Sequence, residues 1–277
     1  MTPARMSSRF SDNTVRAYAR NGGRLASCKF RSWSASAKIL ILVPALCVMA
    51  ADSPNKREVL ERVAANGSLF ERERARYSYR QSFRFYEIGR DGPPGGDYRE
   101  VREVGFTSDG ERQEEFVKRP VNRLKRIILT EEDFRDIREV QPFVLTEDTL
   151  WFYGSRYEGE ENVRGHDCWV FRIKPRQVLD GQRLLDGRIW VDKETEQAVQ
   201  VGGLPVPQEH RSESGNLFPR FITVFEQVDG KYWFPVSTIA DDTLAFSSGG
   251  QRVKYEIEFS DYKRFSAESS ISFSGQD

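Results

Sequence analysis

Residues 252–260 read Arg-Val-Lys-Tyr-Glu-Ile-Glu-Phe-Ser, so apolar and polar residues alternate there without exception. Successive side chains of a β-strand point to opposite faces, and this stretch therefore predicts a strand with one buried face. The residues of that face are Val253, Tyr255, Ile257 and Phe259. Strands of this kind are typical of antiparallel sheets that pack one face against a core.

The same period of two appears earlier in the chain, where a second strand is predicted to start at Tyr77. Its apolar face contains Tyr77, Tyr79, Phe83 and Phe85. Further strands are predicted between the two, and Asp229-Gly230 predicts a tight hairpin between the last two of them. These strands are Tyr98–Phe106, Glu111–Lys118, Tyr157–Gly159, Cys168–Lys174, Gly187–Asp192, Gln197–Gly202, Phe221–Val228 and Lys231–Thr238.

Helical patterns occur only early and in the middle of the chain. Ser53-Pro54 predicts a helix start, a stripe of apolar residues follows to Ala64, and Asn66-Gly67 predicts an interruption before a second short helix. Thr130 is predicted to cap a helix over 131–140, and 146–152 predicts one more short turn. Without a βαβ rhythm, about ten strands predict an α+β fold: a large, strongly curved antiparallel sheet with helices packed on one side.

The N-terminal region has the composition of an export signal. The apolar run from Ile39 to Ala50 follows Lys38 and is too short to span a bilayer as a helix, but it fits a signal peptide cut after Ala50. We therefore expect residues 1–50 to be a basic leader and signal peptide, and 51–277 to be a single periplasmic domain. Two questions stay open: the true translation start, and whether Cys47, which follows Leu46, is lipidated.

Charge and composition exclude several partners. The chain has 42 Lys and Arg against 42 Asp and Glu, but eight of the bases and one of the acids lie within residues 1–50. The remaining 34 bases and 41 acids give residues 51–277 a net charge of −7. An acidic exported domain is a poor partner for nucleic acid or for the surface of anionic membranes.

Residues suited to catalysis are scarce. The chain has two histidines, His166 and His210, and no Gly-x-Ser-x-Gly, phosphate-loop or dinucleotide motif. Cys168 lies two residues after His166, but its apolar strand predicts a buried structural cysteine. Asp167 would point to the opposite face, which leaves too few zinc ligands. Asp241-Asp242 is predicted to be a solvated turn. We expect no catalytic residue, metal or cofactor.

Four segments resemble the outer-membrane lipoprotein-sorting (LolA-like) proteins. They are Val163–Pro175, Gly187–Thr195, Asp229–Pro235 and Ser260–Phe265, which follow one another in the same order as in that family. The resemblance implies a half-open antiparallel barrel around helices that form a lid. It also implies a hydrophobic cavity that carries acyl chains of lipoproteins or lipids across the periplasm without catalysis. A related branch senses lipids or misfolded outer-membrane proteins and regulates a stress response.

Two functions follow as hypotheses. In the first, helices 54–65 and 131–140 move as a lid, and the concave face holds a lipid, a lipoprotein acyl chain or another apolar ligand. In the second, the same groove or a sheet edge binds a protein partner in an envelope sensor. The ligand-binding residues predicted for the concave face are Tyr77, Tyr79, Phe83, Phe85, Phe171, Val253, Tyr255, Ile257 and Phe259.

Overall fold

The computed structural model describes residues 55–265 except 90–91, 93, 108–109, 140–141, 179–182, 209–217 and 247–248. The predicted leader, its predicted cleavage site and His210 lie outside the described residues. Among the helices that are described, none is long and apolar enough to cross a membrane.

Within the described residues, ten antiparallel strands form one sheet in the order β3-β2-β1-β10-β9-β8-β7-β6-β5-β4. β3 and β4 are its two edges, so the sheet is not closed. The fold is the predicted one: a large curved antiparallel sheet, or half-open barrel, with helices packed on its concave side. The strands are β1 (Tyr77–Ile88), β2 (Pro94–Phe106), β3 (Arg112–Asn122), β4 (Tyr153–Val163), β5 (His166–Pro175), β6 (Leu184–Asp192), β7 (Ala198–Val206), β8 (Phe221–Val228), β9 (Tyr232–Phe246) and β10 (Gly249–Arg264).

The two strands with the strictest alternation lie side by side. β1 pairs with β10, and this pairing places Phe83 opposite Ile257 and Phe85 opposite Tyr255. All four side chains are buried. The first strand of the chain is thereby joined to the last, and their apolar side chains form one continuous face.

Two turn predictions have different outcomes. Asp229 and Gly230 both have positive φ and join β8 to β9, which confirms the predicted hairpin. The predicted turn at Asp241-Asp242 is wrong, because both residues lie inside β9. Arg252 of β10 donates two hydrogen bonds of 2.7 Å to the Asp241 carboxylate across the strand pair, so the aspartates are accommodated within the ladder.

The helices are α1 (Lys56–Arg74), α2 (Glu131–Glu139) and α3 (Glu147–Leu150). α2 and α3 occur where the sequence predicts helix. The predicted break at Asn66-Gly67 is wrong, since α1 continues through it. A Cβ at Gly67 would lie 2.0 Å from the Leu145 carbonyl oxygen, so glycine serves there for close packing against the 143–145 segment.

The core lies between the concave face and the helices. Val59, Val63 and Ala64 of α1 pack into the main cluster together with side chains from most of the strands. A smaller cluster joins the end of α1 to β9, where the Phe70 and Phe234 rings meet edge to face at 5.1 Å. α1 therefore covers part of the concave face of the sheet.

Candidate ligand-binding site

All nine predicted ligand-binding residues lie in the core. None of their side chains is more than 6% exposed. Eight belong to the main cluster, and Tyr77 belongs to the smaller one. None of them lines either of the two cavities described next. Their contact with a ligand stays a prediction, and it requires the covering helices to move.

The first cavity lies beneath α1 and is apolar. α1, the 143–145 segment and strands β7–β9 enclose it, and its volume is about 40 Å³. Ligand pockets usually measure about 300–1,000 Å³, so this space admits only a small group while α1 is in place. The lining residues are Val63, Asn66, Gly67, Phe70, Phe143, Val144, Leu145, Gln197, Ala198, Val201, Phe225 and Trp233.

A polar contact fastens α1 beside this cavity. The Arg62 guanidinium donates to both carboxylate oxygens of Glu196, in the turn after β6, and Nη2 lies 2.7 Å from Oε1. Asn66 Nδ2 donates to the Glu196 carbonyl oxygen at 3.2 Å. Exposed ion pairs contribute about 0–1 kcal/mol. This α1 latch, formed by Arg62, Asn66 and Glu196, is therefore a weak restraint.

The second cavity is larger, and arginines dominate its lining. Its volume is about 740 Å³, and residues of α1, α2, α3 and strands β2, β3, β4 and β6 line it. Phe143 and Val144 line both cavities, so the wall between the apolar space and the charged space is one short segment. The lining residues are Glu71, Arg74, Arg102, Arg112, Glu114, Arg138, Pro142, Phe143, Val144, Thr149, Tyr153, Arg183 and Leu184.

The Glu114 carboxylate lies close to the guanidinium groups of three of these arginines. Glu114 accepts from Arg102 Nη1 and from Arg112 Nε, each at 2.5 Å, and lies 3.8 Å from Arg138 Nε. Burial opposes ionisation of Glu114, but Arg112 and Arg102 outweigh it and hold the pKa of the carboxyl below its usual value. Arg112 also donates to the Tyr79 hydroxyl at 2.7 Å, which connects this cavity to the predicted aromatic face.

The Cys168 and His166 side chains do not form a nucleophile and base. Cys168 is buried, and its Sγ donates to the backbone oxygen of His166 at 3.4 Å. Burial, followed by the charge of Asp192, raises the pKa of the thiol to about 11. The His166 ring instead contacts the Asp192 carboxylate at 3.3 Å. Within the described ranges, no three His, Cys, Asp or Glu side chains are grouped to hold a metal ion.

The chain is similar to several solved structures. No family model and no curated protein matches it. It is similar to a DUF1329 family protein from Desulfovibrio piger (16% identity, covering 75% of this chain and 95% of that one, TM-score 0.33). A LolA superfamily protein from Nitrosomonas europaea is also similar (13%, 74% and 94%, TM-score 0.34). A third is MucB in the MucA/MucB complex of Pseudomonas aeruginosa (14%, 76% and 99%, TM-score 0.22).

The second of these proteins belongs to the LolA superfamily, the group that the four sequence segments resemble. The arginine-lined cavity was missed from the sequence. Its arginines come from five separate elements or loops, and no local pattern links them. The sequence signal for this cavity is that Glu100 and Arg102, and likewise Arg112 and Glu114, are two residues apart. This spacing places each pair on one face of a strand.

Proposed function

We propose that this protein is a periplasmic, non-catalytic binding protein that holds a lipid, a lipoprotein acyl chain or another apolar ligand between α1 and the concave face. Outer-membrane lipoprotein sorting is the process this would serve. The observation that carries the proposal is the apolar cavity between α1 and the sheet, whose lining includes Phe70, Phe225 and Trp233.

An acyl chain fits this site only if α1 moves away from the sheet. A cavity of about 40 Å³ cannot hold a chain, whereas the space that α1 itself fills is large and apolar. Burial of about 15 methylene groups contributes about 12 kcal/mol before the cost of moving the helix. That gain offsets the lost packing of Val59, Val63 and Phe70, and the exposed α1 latch adds little to the barrier.

Lipid analysis of the exported protein tests the proposal. The full chain is expressed in a bacterium and purified from the periplasmic fraction, and its intact mass reports whether the leader ends at Ala50. Extraction and mass spectrometry should recover a bound lipid, and a fluorescent fatty acid should bind in competition with it. Protein that carries no lipid and binds no fatty acid would refute the proposal.

A pair of matched variants tests whether the ligand binds in the apolar cavity. Ala198 lines the apolar cavity, whereas Ala65 is exposed on α1. Ala198→Leu adds three carbons inside the cavity and should weaken fatty-acid binding, while Ala65→Leu should leave it unchanged. Equal binding by the two variants would show that the ligand lies elsewhere.

An envelope sensor that binds a protein segment is the second candidate. The edge strand β3 exposes Phe116, Val117 and Val121, each more than 40% accessible. An unpaired edge with apolar side chains can add an extended segment as a further strand. Under this alternative, the lipid-free protein should capture one defined envelope protein, and Val117→Lys should abolish that capture without changing fatty-acid binding.

A further inference from the structure

We propose that the arginine-lined cavity binds the anionic head group, a carboxylate or a phosphate, of the same ligand whose apolar chain lies beneath α1. The inference rests on the proposed function and specifies its ligand class as an anionic amphiphile. The two cavities have different chemistry and are separated by the Phe143–Val144 segment, so one molecule with a charged end and an apolar end can reach both once α1 has shifted from the sheet.

The lining carries more cationic than anionic groups. Five arginines line the cavity together with two glutamates, Glu71 and Glu114. Behind this lining, Glu100 pairs with Arg102 at 2.9 Å, and Asp136 pairs with Arg183 at 3.4 Å. In the part of the chain that the structure describes, the lining thus holds five guanidinium groups and two carboxylates, and each guanidinium presents five N–H donors.

Two of the five arginines keep donors for a ligand. No ion pair to Arg74 occurs in the part of the chain that the structure describes, and its Nε is buried without a hydrogen-bond partner. Its guanidinium lies 5.4 Å from the centre of the Phe106 ring. Among the described residues, the ion pair of Arg138 is with the shared Glu114 alone, at 3.8 Å. A carboxylate or phosphate can accept paired hydrogen bonds from such guanidinium groups.

The remaining arginines form the framework of the site. Arg112 is held by Glu114, by Tyr79 and by Gln81, whose side-chain oxygen accepts from Nη2 at 2.8 Å. Arg102 is held by Glu100 and Glu114. These bonds fix positive charge at the wall of a cavity whose volume falls within the usual range for a ligand.

The experiment compares ligands with identical chains and different heads. Laurate, dodecyl phosphate and dodecanol are titrated into the delipidated full-length exported protein, with inorganic phosphate as a free anion. Hydrogen bonds to a charged group predict that laurate and dodecyl phosphate bind about tenfold or more tightly than dodecanol. The double variant Arg74→Gln/Arg138→Gln should reduce that ratio to near one. Arg57→Gln, an exposed arginine on the same helix, should leave it unchanged.

Each outcome decides one claim. Equal binding of laurate and dodecanol by the unmodified protein would overturn the head-group site while leaving the proposed apolar binding intact. Failure of all three amphiphiles would overturn the proposed function itself. Inorganic phosphate that protects the protein from unfolding, with no preference among the amphiphiles, would refute the head-group assignment in favour of a free anion. If the double variant does not fold, the single variant Arg74→Lys and the comparison of laurate with dodecanol in the unmodified protein still test the head-group site.

Discussion

Gly67→Ala is the sharpest single perturbation of the covering helix. The new Cβ would lie 2.0 Å from the Leu145 carbonyl oxygen and 2.8 Å from Val144 Cγ1. Contacts of a Cβ below 3.0 Å are essentially never observed, so α1 and the 143–145 segment must separate by about 1 Å or more. The nearest atom is backbone, and rotation of a side chain cannot relieve the clash.

Two opposing terms set the size of the effect. Alanine in place of glycine within a helix is worth about 1 kcal/mol in favour of folding. Overpacking against a fixed backbone costs about 1–3 kcal/mol. We therefore expect Gly67→Ala to lower the free energy of unfolding by up to about 2 kcal/mol. The same substitution at a helix position without tertiary contacts would raise the free energy of unfolding.

The assay is urea unfolding followed by circular dichroism, together with the binding of a fluorescent fatty acid. Ala65→Gly on the exposed face of α1 is the matched control, since it measures the helix propensity term alone and should cost about 1 kcal/mol. Gly67→Ala should also bind the fatty acid more tightly, because the lid is already displaced. A stabilisation of about 1 kcal/mol with unchanged binding would refute the packing of α1 described here.

Three further predictions concern buried groups. Glu87 accepts from the backbone N–H groups of Arg126 and Ile127 at 2.7 Å, so Glu87→Gln, which removes the charge of the acceptor, should cost about 1–3 kcal/mol in urea unfolding; an unchanged midpoint would contradict this role. The pKa of Glu114 is lowered in the fold, so its contribution is complete above the ordinary carboxyl pKa of about 4.3 and is lost as the pH falls through the lower folded value. The free energy of unfolding of Glu114→Gln should therefore fall less steeply in acid than that of the unmodified protein. Parallel pH profiles of the two proteins would contradict this role of Glu114. Cys168, with a pKa of about 11, should react with a thiol reagent slowly at pH 8 when native and rapidly in denaturant.

Much of the strand content was predictable because each strand carries its own pattern. The alternation in β10 and β1 fixed which side chains are buried, and Asp229-Gly230 fixed a hairpin by its turn chemistry. The prediction at Gly67 failed because helix propensity treats glycine as a breaker, whereas α1 uses it to approach the Leu145 backbone. Neither the contact nor its benefit is visible in the local sequence.

The sequence by itself determined the antiparallel sheet, the apolar face and the scarcity of catalytic groups, because alternation and composition act over a few residues at a time. Only the tertiary structure decided what covers that face and where charge collects. Arg74, Arg102, Arg112, Arg138 and Arg183 come from distant parts of the chain and face one cavity. An acidic domain can contain such a basic site because the electrostatic potential inside a cavity is set by the charges that line it and not by the net charge of the molecule.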